Sequence, residues 1–214
     1  MFRKTILLAI VIFILNLVVS RISESGEEKP EPFCKVKNAV IAYEYYGIDK
    51  GTIKLMIKDY GNFVRREETR IMKSDEKERV YKNFYLLTPE YYYDVDVKSN
   101  TAIKMKCPAN MEELITISEI LYGEQAKSVE TEDRYQKEKD GSVAGQVCKV
   151  YHDKISATTY WIWNDIILKE ESIDWETKEP SGKRAVSVDL NPKFKKDTFE
   201  LLKGMEIFEV PRRD

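Results

Sequence analysis

Apolar and polar residues alternate with a period of two along most of this chain, and short turn-forming runs separate the alternating stretches. In Thr52 to Asp59, Ile53, Leu55 and Ile57 fall on one face of an extended strand, with Lys54 and Lys58 on the other. A helix would instead repeat its apolar residues every three or four positions. The same habit marks Val36 to Tyr46, Phe63 to Met72, Val80 to Leu87, Glu90 to Val97 and Thr101 to Lys106. Gly47 to Gly51, Tyr60-Gly61-Asn62, Thr88-Pro89 and Ser99-Asn100 supply the turns. Links this short allow only antiparallel neighbours, because a parallel pair needs a crossover of about a dozen residues or more.

The alternation resumes at Gly145. Gln146 to Tyr151, Ala157 to Trp163, Ile166 to Trp175 and Arg184 to Leu190 read as strands. Asn164-Asp165 and Glu179-Pro180-Ser181-Gly182 read as turns between them. Pro192 stops the last of these strands. A short helical turn over Asp197 to Leu202 and an extended Met205 to Val210 follow.

Between the two sets the period changes. Asn110 caps a helix whose apolar residues are Met111, Leu114, Ile115, Leu121 and Tyr122, with Glu112 and Glu113 suited to the first turn and Gly123 to the stop. Glu124 to Asp140 is charged and poor in aliphatic residues, as expected of a mobile loop or a solvated helical extension. The fold class is mainly β (α+β), with about ten strands and one amphipathic helix. One helix cannot cover that many flat strands, so the sheet is expected to curl around it.

The N-terminus carries a different signal. Arg3 and Lys4 precede an apolar run from Ile6 to Val19, closed by Ser20 and Arg21, which is the layout of an export leader. Val18-x-Ser20 and Ser23-x-Ser25 are candidate cleavage sites. An uncut leader would instead anchor the chain through residues 6–22, although Ile6 to Val19 is shorter than the ~20 residues of a comfortable span. Both outcomes put the rest of the chain outside the cytoplasm, in the periplasm or another extracytoplasmic space. Residues 1–20 are thus a signal peptide or signal anchor, 21–33 a polar linker with Gly26, Pro30 and Pro32, and 34–214 a single β-rich domain.

Charge excludes one class of partner. The chain has 35 Lys and Arg against 37 Asp and Glu, with the signs mixed along its length. No basic stripe exists to follow a nucleic acid. The three cysteines, Cys34, Cys107 and Cys148, would allow one disulfide in an oxidising envelope. Cys107–Cys148 is the favoured pair, closing a loop that would contribute about 3–4 kcal/mol.

Catalytic and metal constellations fail on geometry or spacing. Cys148 and His152 share a strand face but lie ~13 Å apart at ~3.3 Å per residue, beyond proton-transfer reach. Three cysteines and one histidine without a CxxC do not make a zinc site. Asp94 and Asp96 on an open meander do not face each other across a cleft. No phosphate loop, GxSxG, HExxH or EF-hand pattern occurs. No enzyme activity, cofactor or metal is expected. Trp161 and Trp163 share a face two residues apart, as do Tyr91 and Tyr93. Each pair reads either as ordinary burial or edge propensity, or as part of a ligand surface.

Three stretches resemble the lipoprotein carriers of the bacterial envelope (the LolA/LolB/LppX type) and a related uncharacterised secreted family. They are Tyr45-x-Gly47-x3-Gly51 with the strand Thr52 to Lys58 and Asp59-Tyr60-Gly61; Gly145-x2-Cys148; and the ending Val186 to Leu190, Asn191-Pro192, Thr198-Phe199-Glu200-Leu201 and Gly204. The resemblance implies an antiparallel half-barrel around a helix, with an apolar concave side that in the carriers receives acyl chains. On that reading Leu55, Ile57, Tyr91, Tyr93, Leu114, Trp161 and Trp163 are cavity candidates. The carriers begin with an amphipathic helix that residues 21–33 cannot supply, so a lid at that position is not expected. Two functions follow as expectations. The first is a non-enzymatic envelope protein that binds a lipid or lipoprotein acyl chain. The alternative is a membrane-anchored interaction module with a filled core and no small ligand.

Overall fold

The computed structural model describes residues 34–74, 77–107 and 133–210. The leader, the linker and the helix expected over 110–122, Leu114 included, lie outside the described residues. Among the described residues there is no helix. They form thirteen strands in one open, curled sheet.

The first meander is β1 (Asn38–Tyr46), β2 (Lys50–Lys58), β3 (Phe63–Ser74), β4 (Lys77–Leu87), β5 (Tyr91–Asp96) and β6 (Thr101–Lys106). Then come β7 (Tyr135–Lys137), β8 (Gly141–Val143), β9 (Gln146–Asp153), β10 (Thr158–Trp163), β11 (Ile166–Ile173), β12 (Pro180–Asp189) and β13 (Glu206–Glu209). The spatial order is β13-β6-β5-β4-β3-β2-β1-β12-β11-β10-β9-β7, with β8 also paired to β9. β12 returns to lie beside β1 and joins the two meanders. Every pairing is antiparallel except β13 on β6.

Several local expectations need correction. Tyr135–Lys137, within the charged stretch, is a strand on β9, and only 138–140 after it are irregular. The turn between β11 and β12 is 174–179, not Glu179 to Gly182. Asp174 accepts from the backbone N–H groups of Glu176 and Thr177, at 3.1 and 2.6 Å, and closes the turn early. Pro180 then starts β12, where a missing N–H is tolerated. In place of a helical turn over 197–202, residues 195–200 make two consecutive turns, with Thr198 N–H on the Lys195 carbonyl and Glu200 N–H on that of Asp197. Asn164-Asp165 does form the hairpin turn, both residues with positive φ as a two-residue primed turn requires.

One face of the sheet carries the principal core. Ala39, Ile41 and Tyr43 of β1 pack with Ile53, Leu55 and Ile57 of β2, Val64, Leu87 and Tyr92, and with Cys148, Ile166 and Leu168 from the second meander. The second face has two separate clusters. Tyr151, Tyr160, Ile162 and Ile167 form one. Phe84, Leu86, Val95 and Ala102 form the other, against which the segment after β12 lays Phe199, Leu201 and Met205. That segment is pinned by Asn100, whose side-chain amide donates to the Gly204 carbonyl at 2.8 Å.

Candidate functional site

The cross-strand register sets what lies between those two clusters. Ala42 opposes Lys54, Lys54 opposes Glu67 and Glu67 opposes Phe84. Glu44, Thr52, Thr69 and Lys82 form the next rung on the same face. With Val40, Arg65, Val97, Val186 and Leu202 they line an open groove of about 560 Å³. This size falls within the ~300–1,000 Å³ of small-molecule sites. Val97, Val186 and Leu202 are about half exposed and give the groove apolar rims. Leu202 belongs to the segment that follows Phe199, so the groove is walled on one side by the C-terminal covering.

Charge in the groove is unevenly matched. Glu44 is bound to Arg184 at 2.6 Å, Glu67 to Arg65 at 2.6 Å, and Glu68 to Arg66 at 2.6 Å. Lys54 and Lys82 have no ion-pair partner among the described residues, and both are exposed. Arg65 also lies over the Phe84 ring, 4.2 Å from its centroid, and covers the groove's deep end.

Behind the floor, on the principal-core face, sits a polar cluster. Glu68 is buried and accepts from Tyr45 Oη at 2.6 Å as well as from Arg66. Burial and the Glu68 carboxylate push the Tyr45 phenol well above its usual range. The Tyr92 hydroxyl is buried without a hydrogen-bond partner among the described residues, and its ring stacks on Tyr85 at 6.4 Å. Burial raises its pKa strongly too. The Tyr45–Glu68–Arg66 hydrogen bonds tie β1 to β3 beneath the groove.

Of the residues singled out from sequence, Leu55, Ile57, Trp161 and Trp163 gather at the principal core, and Tyr91 and Tyr93 lie apart from them. Leu55 and Ile57 are 2% and 0% exposed within the principal core. Trp161 and Trp163 pack against that core, with Lys169 4.1 Å from the Trp161 ring centroid. Tyr91 and Tyr93 lie on the second face, 6.2 Å apart, with Lys104 over Tyr91. None of these six lines the groove. Sequence reasoning missed Lys54, Lys82, Thr69 and Val186 because a Lys or Thr on the polar side of a strand reads as solvated surface. The only available signal was that Val40, Ala42 and Val186 interrupt that polar side.

The cysteines also depart from expectation. All three are free thiols, so the Cys107–Cys148 bridge is not formed in this structure. Each thiol is satisfied locally, Cys107 by the Thr88 carbonyl at 3.3 Å and Cys148 by that of Gln146 at 3.5 Å. Burial lifts each thiol pKa to about 11. His152 bonds Thr159 Oγ1 at 3.1 Å. Asp96 accepts from the backbone N–H groups of Lys98 and Ser99, which makes it a turn residue. Among the described residues no group of three or more His, Cys, Asp or Glu is gathered to hold a metal.

Comparison with known proteins gives the fold a context. No family model matches the sequence, and no curated protein matches it significantly. Among solved structures, the chain is similar to an uncharacterised conserved protein from Thermus thermophilus, with a TM-score of 0.50, 9% identity, and coverage of 82% of this chain and 92% of that one. MucB aligns at a TM-score of 0.45 and 8% identity, over 82% of this chain and 61% of MucB. The Thermus likeness shows a shared fold at very low sequence identity.

Proposed function

We propose that this is a non-enzymatic, exported envelope protein that binds an apolar chain in the groove between Val40, Ala42, Phe84, Val186 and Leu202. The observation that carries the reading is the groove itself, a cleft with apolar rims between the two apolar clusters of the second face. Natural monomers seldom leave contiguous apolar surface open to water without a use for it. The export leader and the resemblance to lipoprotein carriers make a lipid or acyl chain the natural occupant. The proposed groove lies on the opposite face of the sheet from Leu55 and Ile57, which are buried with the principal core. Leader retention would keep the same domain tethered at a membrane, and cleavage would release it.

The test is to purify the exported protein under detergent-free conditions and extract it with organic solvent. A stoichiometric acyl-chain compound identified by mass spectrometry supports the reading. A protein that carries none, and takes up none when offered, contradicts it and favours the interaction module.

A further inference from the structure

We infer that the groove selects a single-chain amphiphile with one anionic head, held by Lys54 and Lys82. This rests on the binding role proposed above and adds the chemistry of the ligand. Two observations lead there. The first is the charge balance. Each acidic residue of the groove already holds an arginine: Glu44 has Arg184, Glu67 has Arg65 and Glu68 has Arg66. Lys54 and Lys82 are the lysines of the lining, and neither has an ion-pair partner among the described residues. The groove therefore presents uncompensated positive charge to whatever enters it.

Lys54 itself shows that this is a property of the arrangement. It stands directly across the strand pair from Glu67, where opposite charges ordinarily meet. The Glu67 carboxylate is instead turned to Arg65, whose Nε and terminal nitrogen both reach Oε1, at 2.8 and 2.6 Å. Arg65 is itself fixed by Thr198, so the acid is held away from Lys54. Lys82 faces Thr69 across its own strand pair, a residue that cannot neutralise it. The two lysines lie on strands two apart and one rung apart, roughly 12 Å between backbones. Long side chains can converge from there on one head group.

The second observation is size. The volume of about 560 Å³ is in the range of small-ligand sites. One acyl chain can be accommodated in an open groove of this size. Val40, Ala42, Val186 and Leu202 supply the apolar contact, while Lys54, on the rung between Ala42 and Phe84, and Lys82, on the next rung, present charge beside it. A single-chain carboxylate, such as a free fatty acid, meets both conditions.

Calorimetric titration with dodecanoate and with dodecanol, in low salt, separates the two levels of the claim. The wild-type protein is expected to prefer dodecanoate about tenfold, the effect of two partly solvated ion pairs. Lys54→Gln combined with Lys82→Gln should remove that preference, lowering dodecanoate affinity about tenfold more than dodecanol affinity, and salt should weaken dodecanoate far more than dodecanol. Val186→Glu, at a half-exposed position, should weaken both ligands. Equal binding of the two ligands by the wild type, or a preference that survives the double substitution, overturns the anionic selectivity while leaving the groove as an apolar site. Binding of neither ligand by the wild type overturns the groove reading itself.

Discussion

The Arg65 guanidinium donates to the Thr198 carbonyl at 3.0 Å, tying the middle of the sheet to a segment more than a hundred residues later in the chain. The same side chain holds Glu67 and covers Phe84. One residue thus fixes the groove's covering segment, disposes of one of its acids and closes its deep end. Arg65→Ala should destabilise the fold by about 2 kcal/mol, as expected for a charged hydrogen bond in a mostly desolvated setting. It should also expose 194–205 to limited proteolysis well before global unfolding. A urea titration alongside a protease time course checks both; unchanged cleavage would show that the contacts of Phe199, Leu201 and Met205 and the Asn100–Gly204 hydrogen bond hold the segment without Arg65.

Gly51 occupies a position that no other residue can fill without distortion. Its φ is +141°, and a Cβ there would sit 2.0 Å from the Thr69 carbonyl oxygen of the neighbouring strand. Because the obstacle is backbone, the β2–β3 ladder itself must shift. Gly51→Ala is expected to cost about 3 kcal/mol. Denaturant midpoints measure it, and a loss under about 0.5 kcal/mol, the scale of ordinary surface changes, would contradict the backbone argument.

Acid sensitivity should trace to Asp153. This fully buried carboxylate is paired with Arg134 and accepts from Ser156 Oγ at 2.7 Å and the Ile155 N–H at 2.9 Å. The Arg134 guanidinium, aided by those donors, holds its pKa far below the ordinary value. A depressed folded-state pKa gives stability that is present above the unfolded value of about 4 and is lost as pH falls below it. Asp153→Asn should therefore be less stable than the wild type at pH 7 by about 2 kcal/mol, with Arg134's partial exposure moderating the loss. The gap should narrow between pH 4 and 2. A gap independent of pH would mean that Asp153 acts through shape alone.

The thiols should be silent in the native state. With pKa values near 11, Cys34, Cys107 and Cys148 are almost entirely protonated at pH 8, and Cys34 and Cys148 are also inaccessible. Iodoacetamide is expected to modify all three only after unfolding. Rapid native labelling at Cys34 or Cys148 would contradict their burial, and an unlabelled pair after unfolding without reductant would reveal a disulfide.

Much of this architecture was legible because most strands carry their own evidence. Ile53, Leu55 and Ile57 alternate, and Asn164-Asp165 can hardly be anything but a tight turn. β7, β8 and β13 were less legible because their pairing is decided elsewhere. Tyr135–Lys137 is a strand because β9 offers it an edge, and Ile207 sits beside Ala102 across a hundred residues of chain. The groove was legible least of all. Its floor belongs to the face that alternation labels polar, and it becomes a cleft only when residues 194–205 fold back over Phe84. Glu68 taught the same lesson in reverse, since a carboxylate in a charged strand proved buried once Tyr45 and Arg66 were positioned to receive it.

The central claim is that the groove, and not the principal core, receives an apolar chain. Titrating isotopically labelled protein with dodecanoate while following backbone amide resonances tests it directly. The account predicts saturable shifts at Val40, Ala42, Thr69, Val186 and Leu202, with Leu55, Ile57 and Trp161 little changed. Shifts centred on Leu55, Ile57, Trp161 and Trp163, or none at saturating ligand, would contradict it.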